Sequence, residues 1–147
     1  MLPTILFADA SEDYRSMARD ALLEGRNATD LRTAGDGTEV LAYLERTGQP
    51  TGAVTPAPSL IIVDADLPGP PAGHELIKAL KSTPRTQRVP VVALGPDDHP
   101  TTVDAAYAAG ANTYIAKPVT FLALVRLMKV ITAYWLETAE LPASDGV

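Results

Sequence analysis

The chain has 147 residues, 46% hydrophobic and 20% charged, the length and mix of one ordinary globular domain, which excludes wholesale disorder. Cysteine is absent, so disulfides, thiolate-bound zinc, iron–sulfur clusters and thiol nucleophiles are all removed. A formal charge of −6 and a pI near 4.8 argue against a surface for nucleic acid or anionic membrane, which would demand a basic patch.

The first residues carry no basic segment and reach Asp9 too soon for a signal peptide. Thr4-Ile5-Leu6-Phe7-Ala8 is a short apolar run, as expected of a strand buried on both faces. Glu12 to Glu24 follows with Met17, Ala18, Ala21 and Leu22 at helical spacing, and Gly25 ends it. Asp30 to Ala34 reads as a weaker strand at an edge. Asp36-Gly37-Thr38-Glu39 fits an Asp-x-x-Glu helix start, with Val40, Leu41 and Leu44 as the apolar face. Gly48 to Pro58 is a Pro/Gly/Thr loop, and Leu60-Ile61-Ile62-Val63 is the clearest buried strand. Leu76, Ile77 and Leu80 mark a third helix that stops before Pro84. Val89 to Leu94 is the next strand, Pro100 opens an Ala-rich helix, and Gly110 closes it. Asn112 to Ala116 is the fifth strand, and Thr120 caps one long final helix. Its apolar stretch, Phe121 to Leu136, includes Arg126 and Lys129 and falls short of the ~20 residues a membrane span needs. A cytoplasmic location is the default. Strands alternating with helices imply a doubly wound α/β fold, a five-stranded parallel sheet in the order 2-1-3-4-5. The folded unit spans residues 1–136, with 137–147 as a C-terminal extension that frays at its end.

Reactive groups of an open α/β sheet gather outside the carboxyl ends of its strands. Those ends carry Asp9 after the first strand, Asp64 after the third, Gly95 after the fourth and Lys117 after the fifth. A single Asp after a strand commonly caps the next helix, and that reading stays open for Asp9. Asp64 ends a strand that is otherwise wholly apolar, where an unpaired carboxylate would be costly, so a cation or a polar task is expected there. Lys117 has the alternative of being a surface lysine, and Tyr114 of packing on the sheet edge. His74 and His99 read as solvated or capping residues rather than metal ligands.

These residues carry a family resemblance. Leu60-Ile61-Ile62-Val63-Asp64-Ala65-Asp66-Leu67-Pro68 resembles the phosphoacceptor segment of bacterial response-regulator receiver domains. Tyr114-Ile115-Ala116-Lys117-Pro118 is similar to the family's Lys-Pro segment, and Ile5 to Asp9 to its first strand with the acidic pocket. The resemblance covers residues 4–136. Thr132 to Thr138 followed by Leu141-Pro142 further resembles single-domain regulators paired with phytochrome-type sensor kinases. The resemblance implies that Asp64 accepts a phosphoryl group from a histidine kinase and that Lys117 is its counter-ion. It implies Mg²⁺ held by Asp9, Asp64 and the backbone carbonyl of Asp66. It also implies that Tyr114 is an aromatic switch residue and that the peptide before Pro118 is cis.

Three departures stand on the same rim. Ala10 replaces the second acid that usually follows the first strand, so Mg²⁺ should bind weakly unless Asp9 shifts inward. Gly95 stands where the family has Thr or Ser, and restoring a hydroxyl by Gly95→Ser is expected to strengthen the switch. The loop Gly69-Pro70-Pro71-Ala72-Gly73 is one residue longer than the usual pattern and lacks its usual Asp. Two functions follow: a phosphorylatable single-domain regulator, or a pseudo-receiver that binds proteins without phosphorylation. A nucleotide-binding enzyme is disfavoured, since no strand is followed by Gly-x-Gly-x-x-Gly or Gly-x-x-x-x-Gly-Lys-Ser/Thr, and no enzyme activity is expected. Signal output is then a protein–protein contact. Along the last helix, Leu124, Met128, Ile131 and Trp135 form one apolar stripe and Leu122 and Val125 a second row, which suggests a symmetric homodimer through that helix.

Overall fold

The computed structural model describes residues 2–25, 28–47 and 55–142. Five strands, β1 (Thr4–Ala8), β2 (Asp30–Ala34), β3 (Leu60–Asp64), β4 (Val91–Gly95) and β5 (Thr113–Ala116), form one sheet. Its order is β2-β1-β3-β4-β5, every pair parallel, as the alternation of elements requires. The helices are α1 (Glu12–Glu24), α2 (Gly37–Arg46), α3 (Gly73–Ser82), α4 (Pro100–Ala109) and α5 (Phe121–Thr132). Part of the expected Gly48–Pro58 loop, residues 48–54, and the end of the tail, 143–147, lie outside the described residues.

Alternate side chains of the central strands feed two cores. Leu6, Ala8, Ile61, Val63, Val91 and Ala93 pack beneath Val40, Leu44, Leu76, Ile77 and Ala106 of α2, α3 and α4. Ile5, Phe7, Leu60, Ile62, Val92 and Leu94 pack beneath Ala18, Leu22, Leu124 and Met128 of α1 and α5. Each of the larger of these side chains contributes about 1.5–3 kcal/mol on burial, which is why β1, β3 and β4 read as continuous apolar runs. Strand β5 is only half covered, as an edge strand.

Local signals set the helix ends. Asp36 accepts the Glu39 N–H at 2.8 Å while the Glu39 carboxylate accepts the Gly35 N–H at 2.8 Å, a reciprocal cap. Ser11 and Thr120 cap α1 and α5 through Tyr14 N–H and Ala123 N–H, both at 3.1 Å. Thr83, before Pro84, is extended and ends α3. Gly110 takes φ 111°, the left-handed turn that closes α4.

The last helix departs from expectation. It is not one long α-helix: after Thr132 it continues as a π-helical segment, Ala133–Thr138. The two-row reading of α5 is also corrected. Val125 is buried with Leu124, Met128 and Ile131, whereas Leu122 is 58% exposed. Val125 stands three residues before Met128, so it falls within one wide core-facing stripe. The outward face carries Leu122, Val130 and Tyr134 instead.

Candidate functional site

Crossovers in this order put the carboxyl ends of β1, β3, β4 and β5 on one rim, and the predicted residues meet there. Asp9, just past β1, is 1% exposed. Its Oδ1 accepts the Ser11 N–H at 2.8 Å, and its backbone N–H donates to Ala34 O at 3.0 Å. Asp64 is the last residue of β3; its Oδ1 accepts the Asp66 N–H at 2.9 Å. Lys117, just past β5, is anchored by its N–H to Gly95 O at 2.8 Å. Its ammonium lies 2.6 Å from Asp9 Oδ2 and 3.2 Å from Asp64 Oδ2. Three strands thus deliver two carboxylates and one cation to a single cluster of net charge −1, and an otherwise costly buried charge is paired.

The electrostatics follow from this packing. Burial pushes the Asp9 carboxyl up, against the pull of Lys117 and the Ser11 N–H. Burial alone would lower Lys117, but its bond to Asp9 and the charges of Asp64 and Asp9 outweigh that and raise it. Burial, then the charges of Asp9 and Asp64, drives the Tyr14 phenol well above its ordinary value.

Other predicted residues separate into three groups. Asp66 is at the rim but exposed, its N–H turned to Asp64. His74 lies in the first turn of α3, and His99 sits at the α4 N-cap position without a side-chain cap. Among the described residues no group of three His, Cys, Asp or Glu side chains is placed to hold a metal. All four carboxylate oxygens of Asp9 and Asp64 already have a partner: a backbone N–H or Lys117. Mg²⁺ is commonly bound through one or two carboxylates plus water, so the residues fit it as a sparse site in competition with Lys117.

Gly95 and Tyr114 form the clearest surprise. A Cβ on Gly95 would fall on the Tyr114 hydroxyl and ring edge, so the phenol fills the space of a residue-95 side chain. The Tyr114 hydroxyl donates to Asp97 O at 2.6 Å, tying β5 to the β4–α4 loop. Tyr114 is therefore not a bystander on the sheet edge. A serine at residue 95 would therefore have to displace the Tyr114 phenol before its hydroxyl could act.

The Lys117–Pro118 expectation is corrected too. Among the described residues the cis bonds are Gly69–Pro70 and Pro70–Pro71, and Lys117–Pro118 is trans. Trans is the intrinsically favoured isomer of X–Pro, and here the Pro118 carbonyl accepts the Tyr14 hydroxyl at 2.7 Å. The lengthened β3–α3 loop docks on the start of α2, where Gly37 N–H donates to Pro68 O at 2.9 Å and Thr38 Oγ1 to Pro70 O at 2.7 Å.

Tyr14 and Arg15 were not marked by any motif. Arg15 Nη1 donates to the Asp9 carbonyl at 2.7 Å, and the Tyr14 ring faces Lys117. Both sit in the first turns of the helix that follows Asp9. That position is the one signal that could have found them.

Comparison with known proteins bears on the family and the fold. The family model described as response regulator receiver domain matches residues 5–129. The response regulator Rcp1 of Synechocystis sp. is 30% identical over 140 residues, covering 95% of this chain and 92% of that protein. The crystal structure of the phosphorylated cyanobacterial phytochrome response regulator RcpA superposes with a TM-score of 0.84 at 29% identity, covering 97% of this chain and 100% of that one. The Mn²⁺-bound form of Rcp1 superposes with a TM-score of 0.79 at 29% identity, covering 96% and 99%.

Proposed function

The chain belongs to the response regulator receiver domain family, and we propose that it is a signalling module in which Asp64 accepts a phosphoryl group from a histidine kinase. An Asp64 carboxylate oxygen attacks phosphorus; an O–P bond forms as the N–P bond to the kinase histidine breaks, and the departing imidazole nitrogen keeps the electron pair. Lys117 then neutralises the phosphoryl oxygens as a point charge. The observation that carries this reading is the Lys117 ammonium bridging Asp9 and Asp64 at the sheet's carboxyl rim. Incubation with acetyl phosphate should add one phosphate mass to the wild type and none to Asp64→Asn. Equal labelling of the two would end the assignment.

Mg²⁺, when bound, supplies charge neutralisation for the transferring group. Asp9, Asp64 and the backbone carbonyl of Asp66 would hold it, with water in place of an Ala10 ligand. Binding is weak on this reading, because one carboxylate is missing and Lys117 competes. The proposed partner is a sensor histidine kinase of phytochrome type, supported by the likeness to RcpA. A second copy of the chain docks through the last helix, whose outward Leu122, Val130 and Tyr134 are exposed. The protein acts in the cytoplasm, and its output is contact rather than catalysis; no helix among the described residues is long and apolar enough to cross a membrane.

One observation favours a second reading, binding of partners without phosphorylation. The Tyr114 phenol fills the side-chain space of residue 95, where the resemblance would place a phosphate-binding hydroxyl. A partner whose affinity is unchanged by phosphorylation of Asp64 would select that alternative.

A further inference from the structure

We propose that Tyr14 is a positioning residue that clamps Lys117 over Asp9 and Asp64, holding the cation where the phosphoryl group must arrive. The inference rests on the phosphoacceptor reading of Asp64. A lysine side chain has many rotamers and a mobile ammonium, so two carboxylates do not by themselves fix it. Tyr14 adds a third contact. The Lys117 ammonium lies 4.2 Å from the centroid of the Tyr14 ring, within the range where a ring face attracts a cation.

The ring is itself held. It stacks on Phe7, with centroids 6.2 Å apart and planes at 23°. Its hydroxyl donates to the Pro118 carbonyl at 2.7 Å, on the residue that follows Lys117. Tyr14 therefore holds the lysine's ammonium by its ring and the carbonyl of the following residue by its hydroxyl. Without this contact the ammonium, part of a side chain that is 25% exposed, can swing to solvent and leave the 1%-exposed Asp9 without its counter-ion. The demand is greater here because Ala10 provides no carboxylate to share a metal ion. Lys117 is the cation that the structure places between Asp9 and Asp64.

The test separates ring from hydroxyl and positioning from phosphorylation. Tyr14→Phe keeps the ring face and loses the Pro118 bond; Tyr14→Leu and Tyr14→Met keep apolar packing on Phe7 and lose the ring. The first readout is the ¹⁵N-edited NMR signal of the Lys117 ammonium, which needs no phosphodonor. It should be sharp and slowly exchanging in wild type and Tyr14→Phe, and broadened or lost in whichever aliphatic variant keeps the wild-type backbone spectrum. The second readout is the rate of acyl phosphate formation from acetyl phosphate, which should fall roughly three- to tenfold in the aliphatic variants and stay within about twofold in Tyr14→Phe. An unchanged ammonium signal in a folded aliphatic variant overturns the proposal, even if Asp64 is phosphorylated. Loss of that signal with no acyl phosphate in any protein upholds the clamp and instead removes the phosphoacceptor reading. Failure of both aliphatic variants to fold, with Tyr14→Phe intact, would mark the ring as a packing residue and count against the clamp.

Discussion

Adding a single carbon at position 95 offers the most quantitative test of the packing at the rim. The Cβ of Gly95→Ala lands on the Tyr114 hydroxyl and ring edge, so the phenol must leave its seat. Leaving breaks the 2.6 Å bond to Asp97 O, a loss of about 1 kcal/mol net, and strips the ring of part of its packing against the α3–α4 core. Overpacking of this kind costs about 1–3 kcal/mol in all. Among the described glycines only Gly110 has a positive φ, so the backbone at 95 itself suits alanine. Without the clash, Gly→Ala should stabilise by about 0.4–1 kcal/mol by restricting the unfolded chain. The sign of the effect thus depends on Tyr114. Urea unfolding of wild type, Gly95→Ala, Tyr114→Ala and the double variant measures this as a coupling of about 1–3 kcal/mol, the clash alone, because the entropic gain is common to both backgrounds and cancels. Gly95→Ala should destabilise when Tyr114 is present and stabilise when it is absent. Equal effects in both backgrounds would refute the claim that the phenol fills the residue-95 space.

Three further outcomes follow from the same geometry. Burial raises Asp9 above its ordinary value of 3.8, so the folded state holds that proton more tightly and the contribution of Asp9 to stability falls as pH rises through and beyond that range. Asp9→Asn should therefore match or exceed wild-type thermal stability at about pH 7, with the gap closing toward about pH 4; a deficit at neutral pH that shrinks as the pH falls would show that the pair with Lys117 outweighs burial. Ala10→Asp should bind Mg²⁺ more tightly, on the order of tenfold, in a calorimetric titration, and equal affinities would show that Asp9 and Asp64 suffice. Light scattering at tens of micromolar should give a dimer mass for wild type and a monomer for Leu122→Asp, while a wild-type monomer would contradict docking through the last helix.

How much of this was legible depended on the kind of interaction. Strands β1, β3 and β4 are buried on both faces, so Thr4–Ala8, Leu60–Val63 and Val91–Leu94 announce themselves as apolar runs. Asp9, Asp64 and Lys117 could be found because a parallel sheet collects its strand ends on one rim, and strand ends can be read from sequence. Contacts made across the sheet could not. Nothing in Val91 to Gly95 says that a tyrosine from the neighbouring strand will fill the space above a glycine, or that Tyr14 will lie over Lys117. Small rotations around a helix are equally hidden: Val125 and Leu122 are three residues apart, yet one is core and the other faces out. The trans peptide before Pro118 is the ordinary isomer of an X–Pro bond, and the hydrogen bond from Tyr14 to the Pro118 carbonyl is a tertiary contact that the Lys-Pro pair does not announce.

The central claim is chemical and local, and residue-level mapping of the phosphate reaches it most directly. Protein treated with acetyl phosphate and Mg²⁺, then reduced with borohydride, should yield homoserine at position 64 alone, because an acyl phosphate is reduced where a free carboxylate is not. Phosphate recovered on Ser11 or Thr33, with residue 64 still aspartate, would contradict the account.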